Sequence, residues 1–225
     1  MKKIPEKGNN IANGAIIQRD LETYSVSPHI AGGFCNPATL RKIADIAEKY
    51  GAEYLKITGS QRIALIGVRE EDLERIWSDL GEAGTPAVGP CVRSIKICPG
   101  TRSCKKAVQN SIDLGMALDR KFFATPMPAK FKMGVSGCPN CCSDSWIKDI
   151  GFFGTGKGFK ILVGGKGGRD TRTGKELVSA ATVEECMQIT GKIIDLYRAN
   201  AKEKERLGPF IDRFGFEEFK KVVLR

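Results

Sequence analysis

The sequence is poor in several things that would have named a function directly. It holds one histidine, His29, among 225 residues, so at most one imidazole is available for proton transfer. A lone histidine of this kind reads as structural before it reads as catalytic. No apolar run approaches the roughly 18–20 residues that cross a bilayer, which excludes a membrane-spanning helix on sequence grounds. The first residues, Met1-Lys-Lys-Ile-Pro-Glu-Lys-Gly8, lack the apolar core of a secretory leader, and the expected compartment is the cytoplasm. The glycine-rich stretches at 154–158 and 164–169 lack the strand–turn–helix setting of a dinucleotide loop, so no nicotinamide or flavin site is expected. Internal repeats are absent. The net charge of +10 comes from dispersed residues with no recognition-helix or aromatic–basic pattern, which argues against nucleic acid as a partner.

What the chain does have is cysteine. Eight are present, and four stand in a pattern: Cys98-Pro-Gly-Thr-Arg-Ser-Cys104, then Cys138-Pro-Asn-Cys-Cys142. Without a leader, ligation is a better account of them than disulfides. Zinc is one candidate, because Cys138 and Cys141 have the C-x2-C spacing of structural zinc sites. A four-cysteine iron–sulfur cluster is the other, and the wide Cys98–Cys104 spacing with glycine and proline nearby favours it.

Hydrophobic periodicity divides the chain at a Gly/Pro-rich stretch, residues 81–90, giving an expected boundary between 1–88 and 89–225. The first part reads as short strands near 15–18 and 23–26, a helix over 37–50 capped by Asn36, strands over 53–58 and 62–68, and a helix over 71–80. That order is close to a ferredoxin-like arrangement, and the fold class expected for the whole chain is α+β. In the second part, strands are expected over 94–97, 130–135, 149–153 and 159–163. Helices are expected over 105–118, placing Cys104 near a helix start, over 182–205 and over 210–223. The Phe122–Phe123 and Phe152–Phe153 pairs read as core.

Residues 98–104 and 138–142, with Val135-Ser-Gly-Cys-Pro-Asn140 ahead of the last cysteine, resemble the signature of the sirohaem-dependent sulfite and nitrite reductase family. The stretch Leu55-Lys-Ile-Thr-Gly-Ser-Gln-Arg-Ile-Ala-Leu-Ile-Gly-Val68 is similar to that family's ferredoxin-like half-domain, and Lys148-Asp-Ile-Gly151 also fits. The similarity runs from about residue 23 to 207, and is greatest to the small, single-repeat assimilatory-type sulfite reductases.

The resemblance implies a ferredoxin-like half-domain followed by an α+β domain that binds sirohaem and a [4Fe–4S] cluster. It implies that Cys98, Cys104, Cys138 and Cys142 hold the cluster and that Cys142 also bridges to the sirohaem iron. Arg93, Lys130, Lys132 and Arg62 are then the basic residues over the substrate. Thr58, Gln61, Arg62, Asn140, Gly165, Lys166 and Arg169 are the cofactor's further contacts. Larger members have an arginine where this chain has Ser60, and Arg62 is expected to stand in for it. The implied reaction is the six-electron reduction of sulfite to sulfide, with nitrite to ammonia as the alternative and an iron–sulfur electron carrier as a more distant one. Electrons are expected from a separate donor, such as a ferredoxin or a reductase subunit. A single copy of a unit that larger members duplicate suggests a homodimer.

Overall fold

An apolar stripe at Ile43, Ile46 and Ala47 makes residues Pro37–Lys49 an amphipathic helix (α1). Asn36 caps it by accepting the Thr39 N–H at 2.8 Å, and Pro37 takes the first turn, where its missing N–H costs nothing. The computed structural model describes residues 8–81 and 87–225. They fall into two compact units, Met1–Gly89 and Pro90–Arg225.

In the first unit, strands β1 (Ala15–Ile17), β2 (Tyr24–Val26), β3 (Tyr54–Ile57) and β4 (Ile63–Val68) form an antiparallel sheet in the order β1-β2-β4-β3. One face packs Tyr24, Val26, Leu65 and Val68 against Ile43 and Ile46 of α1 and Leu73 and Ile76 of α2 (Leu73–Leu80). The β3–β4 connection is a tight turn closed by Thr58 N–H to Arg62 O at 2.8 Å.

The second unit is built on a five-stranded sheet in the order β5 (Lys96–Ile97), β6 (Met133–Ser136), β7 (Ile150–Thr155), β8 (Gly158–Val163), β9 (Lys175–Ala181). Strands β5, β6 and β7 run parallel, and β8 and β9 are added antiparallel. Helix α3 (Ser111–Phe122) connects β5 to β6, and α4 (Val183–Asn200), α5 (Leu207–Phe214) and α6 (Phe216–Leu224) complete the unit. Phe131, Phe152, Phe159, Tyr197, Phe210 and Phe219 are almost wholly buried in one core. Burying each such side chain contributes about 1.5–3 kcal/mol.

Several expectations need correction. Cys104 does not stand at a helix start: residues 104–110 form turns, and α3 begins at Ser111, where Asn110 accepts the Ile112 and Asp113 N–H groups. The sequence signal was there, since asparagine is a strong cap, but the two lysines after Cys104 looked like helix. The long helix stops at Asn200 rather than 205. The last helix is two, broken at Gly215 (φ 92°). Strand β6 begins at Met133, so Lys130 and Lys132 precede the regular ladder. Strand β9 was not expected; its polar, half-exposed alternation is that of an edge. Among the described residues, no helix is long and apolar enough to cross a membrane.

Candidate functional site

Two parallel strands end side by side at the cysteines. Ile97 pairs with Val135, so Cys98 and Ser136 are the next residues out on adjoining strands. The Cys98 N–H donates to Val135 O at 3.1 Å, and the Gly137 N–H donates to Cys98 Sγ at 3.0 Å. Ser111 at the head of α3 adds a bond from its hydroxyl to Cys98 O at 2.8 Å. The Cys98–Cys104 loop and the Cys138–Cys142 loop are thereby packed together. Gly137 is the pivot. A methyl group there would lie 2.9 Å from Gly100 Cα, 2.9 Å from Gln109 O and 3.0 Å from Ala107 Cβ. Its carbonyl accepts from both Val108 and Gln109 N–H groups. A Gly137→Val substitution is expected to force the two loops apart at a cost of about 1–3 kcal/mol. Iron and acid-labile sulfide per chain, measured after reconstitution, should fall with it.

Among the described residues, no three His, Cys, Asp or Glu side chains converge as ligands of a single metal ion. A four-iron cluster places each thiolate on a different iron and asks instead for sulfur ligands on adjoining loops with N–H donors close by. The Gly137 N–H on Cys98 Sγ is such a donor. Beside Cys142, the buried Ser143 hydroxyl has no hydrogen-bond partner among the described residues, and a cluster sulfide is the kind of acceptor that would satisfy it. Cys142 is exposed. Burial, with Cys138 and Cys142 close by, pushes the Cys141 thiol up to about 11. Cys141 (φ 51°) and Asp144 (φ 56°) both take left-handed backbone, so this loop is tightly constrained. Asn140 is exposed in the same loop.

The basic residues come together through strand geometry. Val92 and Phe131 face each other across a parallel bridge and are both fully buried. Side chains alternate on either side of that bridge, so Arg93 on one segment and Lys130 and Lys132 on the other turn away from the core to the same side. The Arg93 N–H to Phe131 O bond, at 2.9 Å, fixes the register. Partial burial and the charges of Arg93 and Arg206 hold Lys130 below the ordinary lysine range. Lys132 is pushed down likewise by burial, Lys130, Arg206 and Arg93, with Asp149 opposing. The field continues to Lys148, whose ammonium is also depressed, chiefly by burial. Asp144 sits between Lys96 (2.8 Å) and Lys148 (3.4 Å), and despite burial their bonds and charge hold its carboxyl low.

Asp149 and Arg206 belong to this group and were not singled out by sequence. Asp149 is buried at the entrance of β7; its Oδ2 accepts the Lys132 N–H at 2.8 Å. Arg206, just before α5, grips both carboxylate oxygens, Nε to Oδ1 at 3.1 Å and a terminal nitrogen to Oδ2 at 2.6 Å. Asp149 lies within the Lys-Asp-Ile-Gly motif, but 57 residues separate the partners and nothing local announces Arg206.

The remaining expected contacts divide by unit. In the first, the Thr58 hydroxyl lies 2.9 Å from Ser60 Oγ, Gln61 adopts left-handed backbone, and Arg62 donates to Ser60 Oγ and Ser27 O at 3.4 Å each. In the second, Gly165 is buried and a side chain there would meet the Trp146 and Lys148 carbonyls at 2.6 and 2.5 Å, so its smallness serves packing. Lys166 closes its loop through reciprocal backbone bonds with Arg172, and Arg169 is exposed at the tip.

Comparison with known proteins agrees with this architecture. Residues 88–225 match the nitrite and sulphite reductase 4Fe-4S domain, and residues 16–83 match the nitrite/sulfite reductase ferredoxin-like half domain. The chain is 36% identical to an assimilatory-type sulfite reductase of Nitratidesulfovibrio vulgaris over 94% of its own length and 97% of that protein's. It is 42% identical to a nitrite reductase [NAD(P)H] of Bacillus subtilis over 93% of its length, but that match spans only 26% of the larger protein. Among solved structures, the Mycobacterium tuberculosis NirA protein aligns over 89% of this chain and 39% of its own, with a TM-score of 0.78 at 21% identity. Dissimilatory sulfite reductase I aligns with a TM-score of 0.79 at 18% identity, over 89% of this chain and 68% of its own. At those identities the structures speak to fold.

Proposed function

This chain belongs to the nitrite and sulphite reductase family, and from that premise we propose that it reduces sulfite to sulfide with sirohaem and a [4Fe–4S] cluster. The observation that carries the reading is the convergence of Arg93, Lys130 and Lys132 on one side of strands leading to the cysteine loops. Four cysteines, 98, 104, 138 and 142, would hold the cluster, with Cys142 shared with the sirohaem iron. When bound, these groups supply stored electrons and an iron that takes the substrate.

The chain's own residues handle charge and protons. Sulfite is a small dianion, and each oxygen lost as water consumes two protons. Arg93 offers a fixed charge and planar donors for the oxyanion. Lys130 and Lys132 donate hydrogen bonds and, because partial desolvation and the neighbouring cations lower their proton affinity, release protons more readily than lysines standing alone. Arg62 is the fourth basic residue of the reading, and Thr58, Gln61, Asn140, Lys166 and Arg169 are proposed contacts for the cofactor's carboxylates.

The test is turnover of sulfite and nitrite by reconstituted enzyme with a chemical reductant. Lys132→Met should lower kcat/KM for sulfite by roughly 30- to 900-fold, the scale of one lost transition-state contact of ~2–4 kcal/mol. Activity should fall as pH rises through the depressed lysine values, since the protonated forms hold and feed the substrate. Wild-type rates in Lys132→Met would sink the assignment. Nitrite is the second reading, favoured by the identity to the Bacillus nitrite reductase; a kcat/KM for nitrite exceeding that for sulfite would select it. An external donor, a cytoplasmic setting that keeps the free thiols reduced, and a homodimer complete the proposal.

A further inference from the structure

The segment after α4 packs against the stretch that carries the two lysines. Lys204 donates its N–H to Pro128 O at 3.0 Å, and the Tyr197 ring stacks at a tilt on Phe131, the residue between the two lysines. Arg206 follows in this segment. Its guanidinium is mostly buried, with its side chain 23% exposed, and is gripped through two bonds by a carboxylate that is itself 1% exposed. The same carboxylate anchors the Lys132 backbone. A buried ion pair of this kind adds little net stability over apolar packing, which directs attention to what else it does.

We infer that Arg206 is a positioning residue for the oxyanion site: locked by Asp149, it fixes the backbone that aims Lys130 and Lys132 and stands as a permanent charge beside both. This rests on the reading of those lysines given above. The fork geometry matters, because a lysine at 206 would supply the charge without the second bond. Around Lys130 the charged groups are Arg93 and Arg206. Around Lys132 they are Lys130, Arg206, Asp149 and Arg93, and Lys148 lies within its field. Removing Arg206 takes away one repelling charge and leaves Asp149 uncompensated. Loss of the repelling charge makes both ammonium groups hold their protons more tightly, whether or not the buried Asp149 carboxyl then takes up a proton.

The experiment compares Arg206→Gln and Arg206→Lys with wild-type holoenzyme. Two readouts are taken: kcat and KM for sulfite and nitrite against pH, and trace acetic-anhydride labelling of Lys130 and Lys132 against pH, read by peptide mass spectrometry. In Arg206→Gln, the labelling midpoints of both lysines should move to higher pH and kcat/KM should fall about 10- to 100-fold, the scale of a slight misplacement of reacting groups. In Arg206→Lys, the midpoints should stay near wild type while kcat/KM still drops severalfold. Unmoved midpoints with an unchanged kcat/KM profile in Arg206→Gln, whatever its melting temperature, would overturn the inference. Should Arg206→Gln not accumulate as folded protein, wild-type kcat/KM in Arg206→Lys would overturn it instead. If Lys130→Met and Lys132→Met both keep full turnover of sulfite and nitrite while the midpoints still respond to Arg206, the functional reading fails and the charge coupling stands.

Discussion

A Cys142→Ser chain should fold, yet its turnover should drop by about a thousandfold or more, the scale seen when an essential member of a catalytic unit is removed. The side chain is exposed, so exchanging sulfur for oxygen disturbs little packing. The proposed chemistry gives this one thiolate two duties, to hold the cluster and to meet the sirohaem iron, and serine is a poor substitute in both. The measurement is iron, acid-labile sulfide and extractable tetrapyrrole per chain, with sulfite turnover, beside Cys141→Ser as control. Cys141 should tolerate exchange far better, because the proposed ligand set leaves it out. The reverse result, with Cys141→Ser inactive and Cys142→Ser active, would exchange their roles.

The second large effect is on stability. Asp149→Ala leaves the Arg206 guanidinium mostly buried without its counter-charge and the Lys132 N–H without its acceptor. Breaking a buried pair from one side costs about 3–5 kcal/mol. For a protein of this size the melting temperature should fall on the order of 10 °C, readable by calorimetry. A double variant, Asp149→Ala with Arg206→Met, should recover part of that loss, because the stranded charge is gone. No recovery would mean that Asp149 acts mainly through the Lys132 backbone.

Elements whose signals lie in neighbouring residues are legible in this chain, and those set by distant contacts are not. Asn36 with Pro37 announced a helix start, and Ile63 to Val68 announced a strand, because each signal lies in neighbouring residues. The two cysteine segments were legible as loops, whereas Lys130 and Lys132, expected inside a strand, lie ahead of β6. The start of α3 was misplaced because Lys105 and Lys106 are compatible with helix, while the turns at 104–110 are dictated by bonds to Gly137, more than 25 residues away in sequence. Arg206 was missed because its meaning depends on Asp149. The break at Gly215 was written in the chain, but the apolar pattern on both sides concealed it.

The Gly100–Gly137 contact has a consequence for how such chains can vary. The stretch between the two cysteine pairs is a detour through α3 and back, and the site depends on where that detour ends rather than on how long it is. The return leg between α3 and Pro126 is itself tied down, since Ala124 and Thr125 exchange backbone bonds with Val92, so spare length is expected in related chains on the outward leg between Cys104 and α3 rather than there, as spare rope between two fixed knots. A single added methyl at either knot, by contrast, would be felt at every cysteine.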